Sequence, residues 1–122
     1  MNPPVFALLS ASPAVTAIVG TAPVRAYGFA YAPQDAPLPH VTWQVVSGVP
    51  EQVLDRPGID NARVQVDCWA ADATGCRQLA DAVREALEDD GRNVMISDNG
   101  DTYDDDAKQY RRSFDFSFWI PR

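Results

Sequence analysis

The stretch Ala62–Asp90, ARVQVDCWA AD ATGCRQLADAVREALEDD, decides the fold. In its first part Val64, Val66, Cys68 and Ala70 alternate with Arg63, Gln65, Asp67 and Trp69. That period of two belongs to a half-buried strand with one face toward the core. At Asp72 the period changes. Cys76, Leu79, Ala80, Val83, Ala86 and Leu87 recur at three- and four-residue steps, with Arg77, Asp81, Arg84, Glu85 and Glu88 opposite them, which is an amphipathic helix. Asp72 or Thr74 supplies the N-cap oxygen, and Gly91 accommodates the left-handed residue that ends a helix. The short link lays the helix across the Val64/Val66/Cys68 face.

Working outward on the C-terminal side, Val94–Ile96 predicts a short strand, and Ser97–Asp106, SDNGDTYDDD, predicts an acidic surface loop. The closing run alternates most clearly: Tyr110, Arg112, Phe114, Phe116, Phe118 and Ile120 share one side, and Arg111, Ser113, Asp115, Ser117 and Trp119 the other. On the N-terminal side, His40–Val49 predicts a strand ended by Pro50, and Pro50–Asn61 a long loop carrying Val53, Leu54 and Ile59. Val24–Ala32 alternates Tyr27, Phe29 and Tyr31 with small residues, as a strand with one bulky side does. Pro33–Pro39 is a turn or extended segment. Pro3 and Pro4 open one short helix, and Ser12-Pro13 restarts another that Gly20 stops. The order predicts a single α+β domain over residues 1–122: a largely antiparallel sheet of about four to five strands, with one long helix and short N-terminal helices on one face.

The 122 residues suit one core, and 46% hydrophobic with 22% charged residues is ordinary globular composition. With 17 acids against 10 bases the net charge is −7, which repels a phosphate backbone. The apolar runs at Val5–Leu9 and Ala14–Val19 are short and no base precedes Arg25, so neither a membrane span nor a signal peptide is expected. Cys68 and Cys76 lack CxxC spacing or a neighbouring histidine. The expectation is two small buried thiols in a reducing compartment, with no zinc site.

No catalytic, cofactor or metal constellation emerges. His40, the one histidine, has no serine or cysteine placed as a nucleophile. The carboxylates Asp98, Asp101, Asp104, Asp105 and Asp106 lack the spacing of a calcium loop. Gly20, Gly28 and Gly48 form no phosphate cradle. Trp69 and Trp119 stand out, because alternation places both on the sheet side away from the core. Either loops or the first helices shelter them, or another subunit does.

Three segments together resemble the small tail-completion proteins of long-tailed bacteriophages and prophages, also described as tail-to-head joining or tail-terminator proteins. They are VFALLSASPAVTAIVG (5–20), the run from Ala32 to Leu87, and SFDFSFWI (113–120). The resemblance implies a non-enzymatic α+β subunit, without cofactor, that assembles with itself into a ring of six. Such a ring caps the tail tube and meets the head connector; it belongs to the virion after assembly in the host cytoplasm, and DNA passes through it without specific binding. The loop Pro50–Asn61 corresponds to the family's loop between the second and third strands. With the two tryptophans, this makes Val53, Leu54, Asp55, Arg56, Ile59, Trp69 and Trp119 the expected contacts to a neighbouring subunit or the tube. His40, where relatives more often carry an aromatic, and the acidic insert Asp101–Asp106 depart from the pattern. The alternatives are another neck or minor tail component, or a small ligand-binding domain or enzyme using His40 or the Asp98–Asp106 carboxylates. Neighbouring genes separate the first, and alanine substitution of His40 the second.

Overall fold

The computed structural model describes the backbone of residues 2–53 and 56–121 and the side chains of 2–46 and 61–120. Two short helices, α1 (Val5–Ser10) and α2 (Pro13–Val19), lead into β1 (Ala26–Tyr27), β2 (His40–Val53), β3 (Arg56–Ala70), α3 (Ala73–Glu88), β4 (Asn93–Asp104) and β5 (Gln109–Pro121). The strands form one sheet in the order β1-β2-β3-β5-β4, antiparallel except where β1 runs parallel to β2. This is the α+β architecture that the patterning predicts.

The local signals act as expected. The Asp72 carboxylate accepts from the Gly75 amide, and the Ser12 hydroxyl accepts from the Val15 amide at 3.3 Å, so α3 and α2 each start on a side-chain cap. Beyond α3, Gly91 takes φ +80°, and Asn93 donates from Nδ2 to the Leu87 carbonyl at 2.7 Å, satisfying one of the free carbonyls at the helix end. Helix α3 then lies over β3 and β5. Its Leu79, Val83 and Leu87 close on Val64, Val66, Cys68, Phe114, Phe116 and Phe118, and Val5, Leu9, Val15 and Val19 of α1 and α2 complete the same core. Cys68 and Cys76 are both free and buried.

Three expectations change. Pro50–Asn61 is not a loop: β2 and β3 stay paired through Val49–Asn61, Pro50–Asp60, Glu51–Ile59 and Val53–Arg56, forming a long hairpin. Pro50 is tolerated because β1 pairs with β2 only at Val41 and Thr42, so β2 is an edge strand along this length. The presumed acidic loop is likewise strand, since β4 pairs with β5 as far as Asp104–Gln109. Arg112 makes this possible by bridging Asp98 and Asp101 from the neighbouring strand. Conversely, the expected strand Val24–Ala32 shrinks to Ala26–Tyr27. A Cβ at Gly28 would come within 3.1 Å of the Trp43 ring, so Gly28 passes under that indole. The chain then turns back at once, with the Tyr31 amide donating to the Gly28 carbonyl at 3.2 Å.

Candidate functional site

With all three helices on one face, the opposite face of the sheet and its two long edges are left uncovered. The open face is mainly polar and cross-linked strand to strand. Arg111 donates from Nε to Asp67 at 3.1 Å, Gln65 donates to the same carboxylate at 3.2 Å, and Arg63 pairs with Asp115 at 3.1 Å. Asn61 donates from Nδ2 to the Ser117 hydroxyl at 2.6 Å. Asp67 itself is 4% exposed, so the charge of Arg111 offsets the cost of removing that carboxylate from water.

The two tryptophans part company here. Trp69 is half-buried: its indole N–H donates to the Thr42 hydroxyl at 3.0 Å, Arg111 lies over its ring at 5.5 Å, and His40 stacks beside it at 6.3 Å. The loop residues Ala30–Ala36 wall the same place, leaving a shallow cleft of about 320 Å³ over His40, Thr42, Asp67 and Trp69. Trp119, on the same face but at the other end, is 44% exposed. Of the remaining expected contacts, Leu54 and Asp55 lie outside the described residues, and for Val53, Arg56 and Ile59 the backbone alone is described, at the end of the β2–β3 hairpin. The structure therefore places Trp69 at one end of the open face and Trp119 toward the hairpin end; it does not bring them together.

His40 is 6% exposed, and its Nδ1 lies 3.3 Å from the Pro37 carbonyl. Burial lowers its pKa, the bond to Pro37 opposing and the charge of Arg25 adding to the shift. It therefore stays neutral near pH 7 and packs as an aromatic between Tyr27 and Trp69. The carboxylates of β4 are likewise tied up: Asp98 and Asp101 both accept from Arg112, and Arg77 of α3 approaches Asp101 at 3.7 Å. Among the described residues no group of three His, Cys, Asp or Glu side chains is arranged to hold a metal ion.

Sequence reasoning missed several exposed apolar side chains. Phe29 is 92% exposed on the turn Gly28–Tyr31, where it and Ala30 have φ of 60° and 53°. Left-handed backbone costs roughly 1–2 kcal/mol at a residue with a Cβ, so this aromatic is held out in water against two unfavourable terms. Val45 and Val46 on β2, and Val94 and Ile96 on β4, are also exposed. Alternation could not place Val46 and Ile96, because β2 and β4 slip register there, between Val45 and Ser47 and between Met95 and Ser97; Val45 and Val94 pair in register, with Val64 and Ser117.

Comparison with known proteins fits this geometry. A family model described as "Tail completion protein gp17" matches residues 3–121. Among solved structures, a chain of the "Virion of native gene transfer agent (GTA) particle" superposes with a TM-score of 0.67 at 19% identity. The match covers 97% of this chain and 92% of that one, and at such identity it is a likeness of fold. No curated protein matches the chain.

Proposed function

The chain belongs to the tail completion protein gp17 family of phage structural proteins, and from that premise we propose that it is a ring-forming subunit that ends the tail tube. Six copies close at the end of the tube, cap it, and present the surface that the head connector meets. The observation that carries this reading is the apolar surface left in water after the core is complete, which includes Phe29, Val45, Val46, Val94, Ile96 and Trp119. A domain with a full core gains nothing from them alone, whereas burial between subunits would remove them from water. We read Val53, Leu54, Asp55, Arg56 and Ile59 as contacts to a neighbour or the tube; supporting this, β2 and β3 stay paired as a hairpin out to Val53 and Arg56, and Trp119 pairs with Asn61 of β3.

No chemistry is assigned to the subunit. Its work is shape and contact, in the virion, after assembly in the host cytoplasm. The net charge of −7 suits a ring through which DNA passes, since acidic walls do not retain phosphates. Electron microscopy of the purified protein, alone and mixed with unfinished tails, tests the reading. Closed rings, or tube ends bearing one extra ring, are expected. A protein that stays monomeric and leaves tube ends bare overturns it.

A further inference from the structure

The sheet has two free edges of unlike composition along most of its length, yet at one level they match. The row Val45–Val64–Phe116–Met95 crosses the sheet from β2 through β3 and β5 to β4. Both outer strands bulge at this row, and the residues skipped by the pairing are Val46 on β2 and Ile96 on β4. These are 44% and 48% exposed, and Val45 and Val94 beside them are exposed too. Bulges blunt edges in many sheets, but protected edges also carry lysine, other charges or proline. Beyond Val41 and Thr42, which pair with β1, and Trp43, whose carbonyl accepts from the Ala30 amide, Val45–Val49 on β2 and Asn93–Ser97 on β4 contain neither charge nor proline. The acids of β4 begin only at Asp98, and Pro50 on β2 follows the matched stretch.

Strand direction matches as well. Strand β2 is antiparallel to β3, β3 to β5, and β5 to β4. Hence β2 and β4 run in opposite directions within one subunit. If a second copy stands beside the first in the same orientation, the β4 edge of one meets the β2 edge of the next as an antiparallel pair. That is the commoner ladder, and it continues the sheet without a change of sense. The contact joins unlike patches, so repetition continues past a dimer, and it closes a ring where the rotation between neighbours divides a full turn.

We propose that successive copies of this chain join edge to edge, the β4 segment Asn93–Ser97 of one pairing with the β2 segment Val45–Val49 of the next, so that Ile96 buries against Val46 at the seam, with Val45 on its covered side and Val94 on its open side. The proposal rests on the ring reading above and specifies which surfaces make the ring. Backbone hydrogen bonds supply part of the contact, and the four β-branched side chains, removed from water on both sides, supply the rest. The occupant is a second copy and not a foreign strand, because the two matching halves sit at one level of the same sheet.

Two single variants test it, Val46→Lys and Ile96→Lys, each exposed and each carrying a charge onto one edge only. Both should fold, with melting temperatures and circular dichroism matching the wild type. Particle masses are read after brief glutaraldehyde fixation, for the protein alone and on unfinished tails. The wild type should give closed rings, and each variant alone should give monomers and leave tube ends uncapped. Mixed one to one, the variants should give particles of two-subunit mass. In that mixture, the intact β4 edge of V46K can pair with the intact β2 edge of I96K, and both outer edges are then blocked. If the wild type assembles and either variant assembles as well, or if the mixture stays monomeric where the wild type forms rings, edge pairing is overturned while the ring reading stands. A wild type that forms no assembly, alone or on tails, overturns both.

Discussion

The two faces of this one sheet are built from different chemistry. Under α3, Val64, Val66, Phe114, Phe116 and Phe118 are inaccessible or nearly so and touch other apolar side chains. On the opposite face, Asp67, Ser113, Asp115 and Ser117 are held by hydrogen bonds and ion pairs that link neighbouring strands, and Gln65 donates to Asp67 within β3. The covered face supplies the free energy of folding through area removed from water. The open face adds little to that sum, but it keeps a sheet without a second layer from exposing apolar surface. Among the described residues, the large apolar side chains left in water are at the edges, on the Phe29 turn, at Trp119 and at Phe6 of α1.

The sharpest way to break the contrast is to delete one side chain from each face. Phe116 is fully buried at the centre of the covered face, with Phe114 and Phe118 at 6.1 and 6.4 Å between ring centres. Phe116→Ala should destabilise the domain by about 3–5 kcal/mol, from lost transfer energy and the cavity left behind. Gln65→Ala on the open face should cost less than about 1 kcal/mol. Urea unfolding of both variants reads the difference. Equal losses would show that the open face is a second core and that the contrast is false.

A smaller effect is expected within the open face. Asp67 is 6% exposed at its side chain and Arg111 is 32% exposed. Arg111→Met should cost about 2 kcal/mol: less than a fully buried pair, because one partner is partly hydrated, and more than a surface pair, because Asp67 keeps its charge out of water. Asp67→Asn in the same chain should recover much of that loss. A double-mutant cycle by thermal unfolding gives the coupling, and a coupling near zero would mean that Gln65 and water satisfy Asp67 without the arginine.

Whether an element was legible in the sequence depended on where its determinants lie. Helix α3 and its cap at Asp72 are encoded within a few residues, as are Ser12 before α2 and the alternation of β5, and all are found where patterning puts them. The hairpin through Pro50 and the acidic half of β4 were misread, because what makes them strands lies far off in sequence. Asn61 pairs with Trp119 across the sheet, and Asp98 meets Arg112 fourteen positions later. The aromatic run Tyr27–Tyr31 failed for the same reason, since only the fold places Trp43 over Gly28. Trp69 was rightly marked as lying off the core side, but Thr42 and Arg111, which hold it within its own subunit, come from other strands. Val46 and Ile96 were hidden by bulges, which interrupt the alternation that would have marked them.

The smallest effect concerns acid. On the helix-side edge of the sheet, Arg112 donates to Asp98 and Asp101, and its bond to Asp98 holds that carboxyl below the ordinary carboxylate range, with the Gly100 amide adding to the shift against partial burial. A carboxyl with a lowered folded-state pKa contributes stability that is fully present above its unfolded value of about 3.9 and is lost as pH falls through the folded value. Arg112→Gln removes that contribution. Because Asp98 and Asp101 are 31% and 45% exposed at their side chains, the loss near pH 7 should be about 0.5–1 kcal/mol after solvent screening. The gap between variant and wild type should then close below about pH 4 as Asp98 protonates in both. Other paired carboxylates, such as Asp90 with Arg92, titrate alike in the two proteins and cancel in the difference. A gap that stays constant from pH 7 to pH 3 would mean that Arg112 holds β4 to β5 by packing over Phe114, whose ring lies 5.8 Å from its guanidinium, and not by charge.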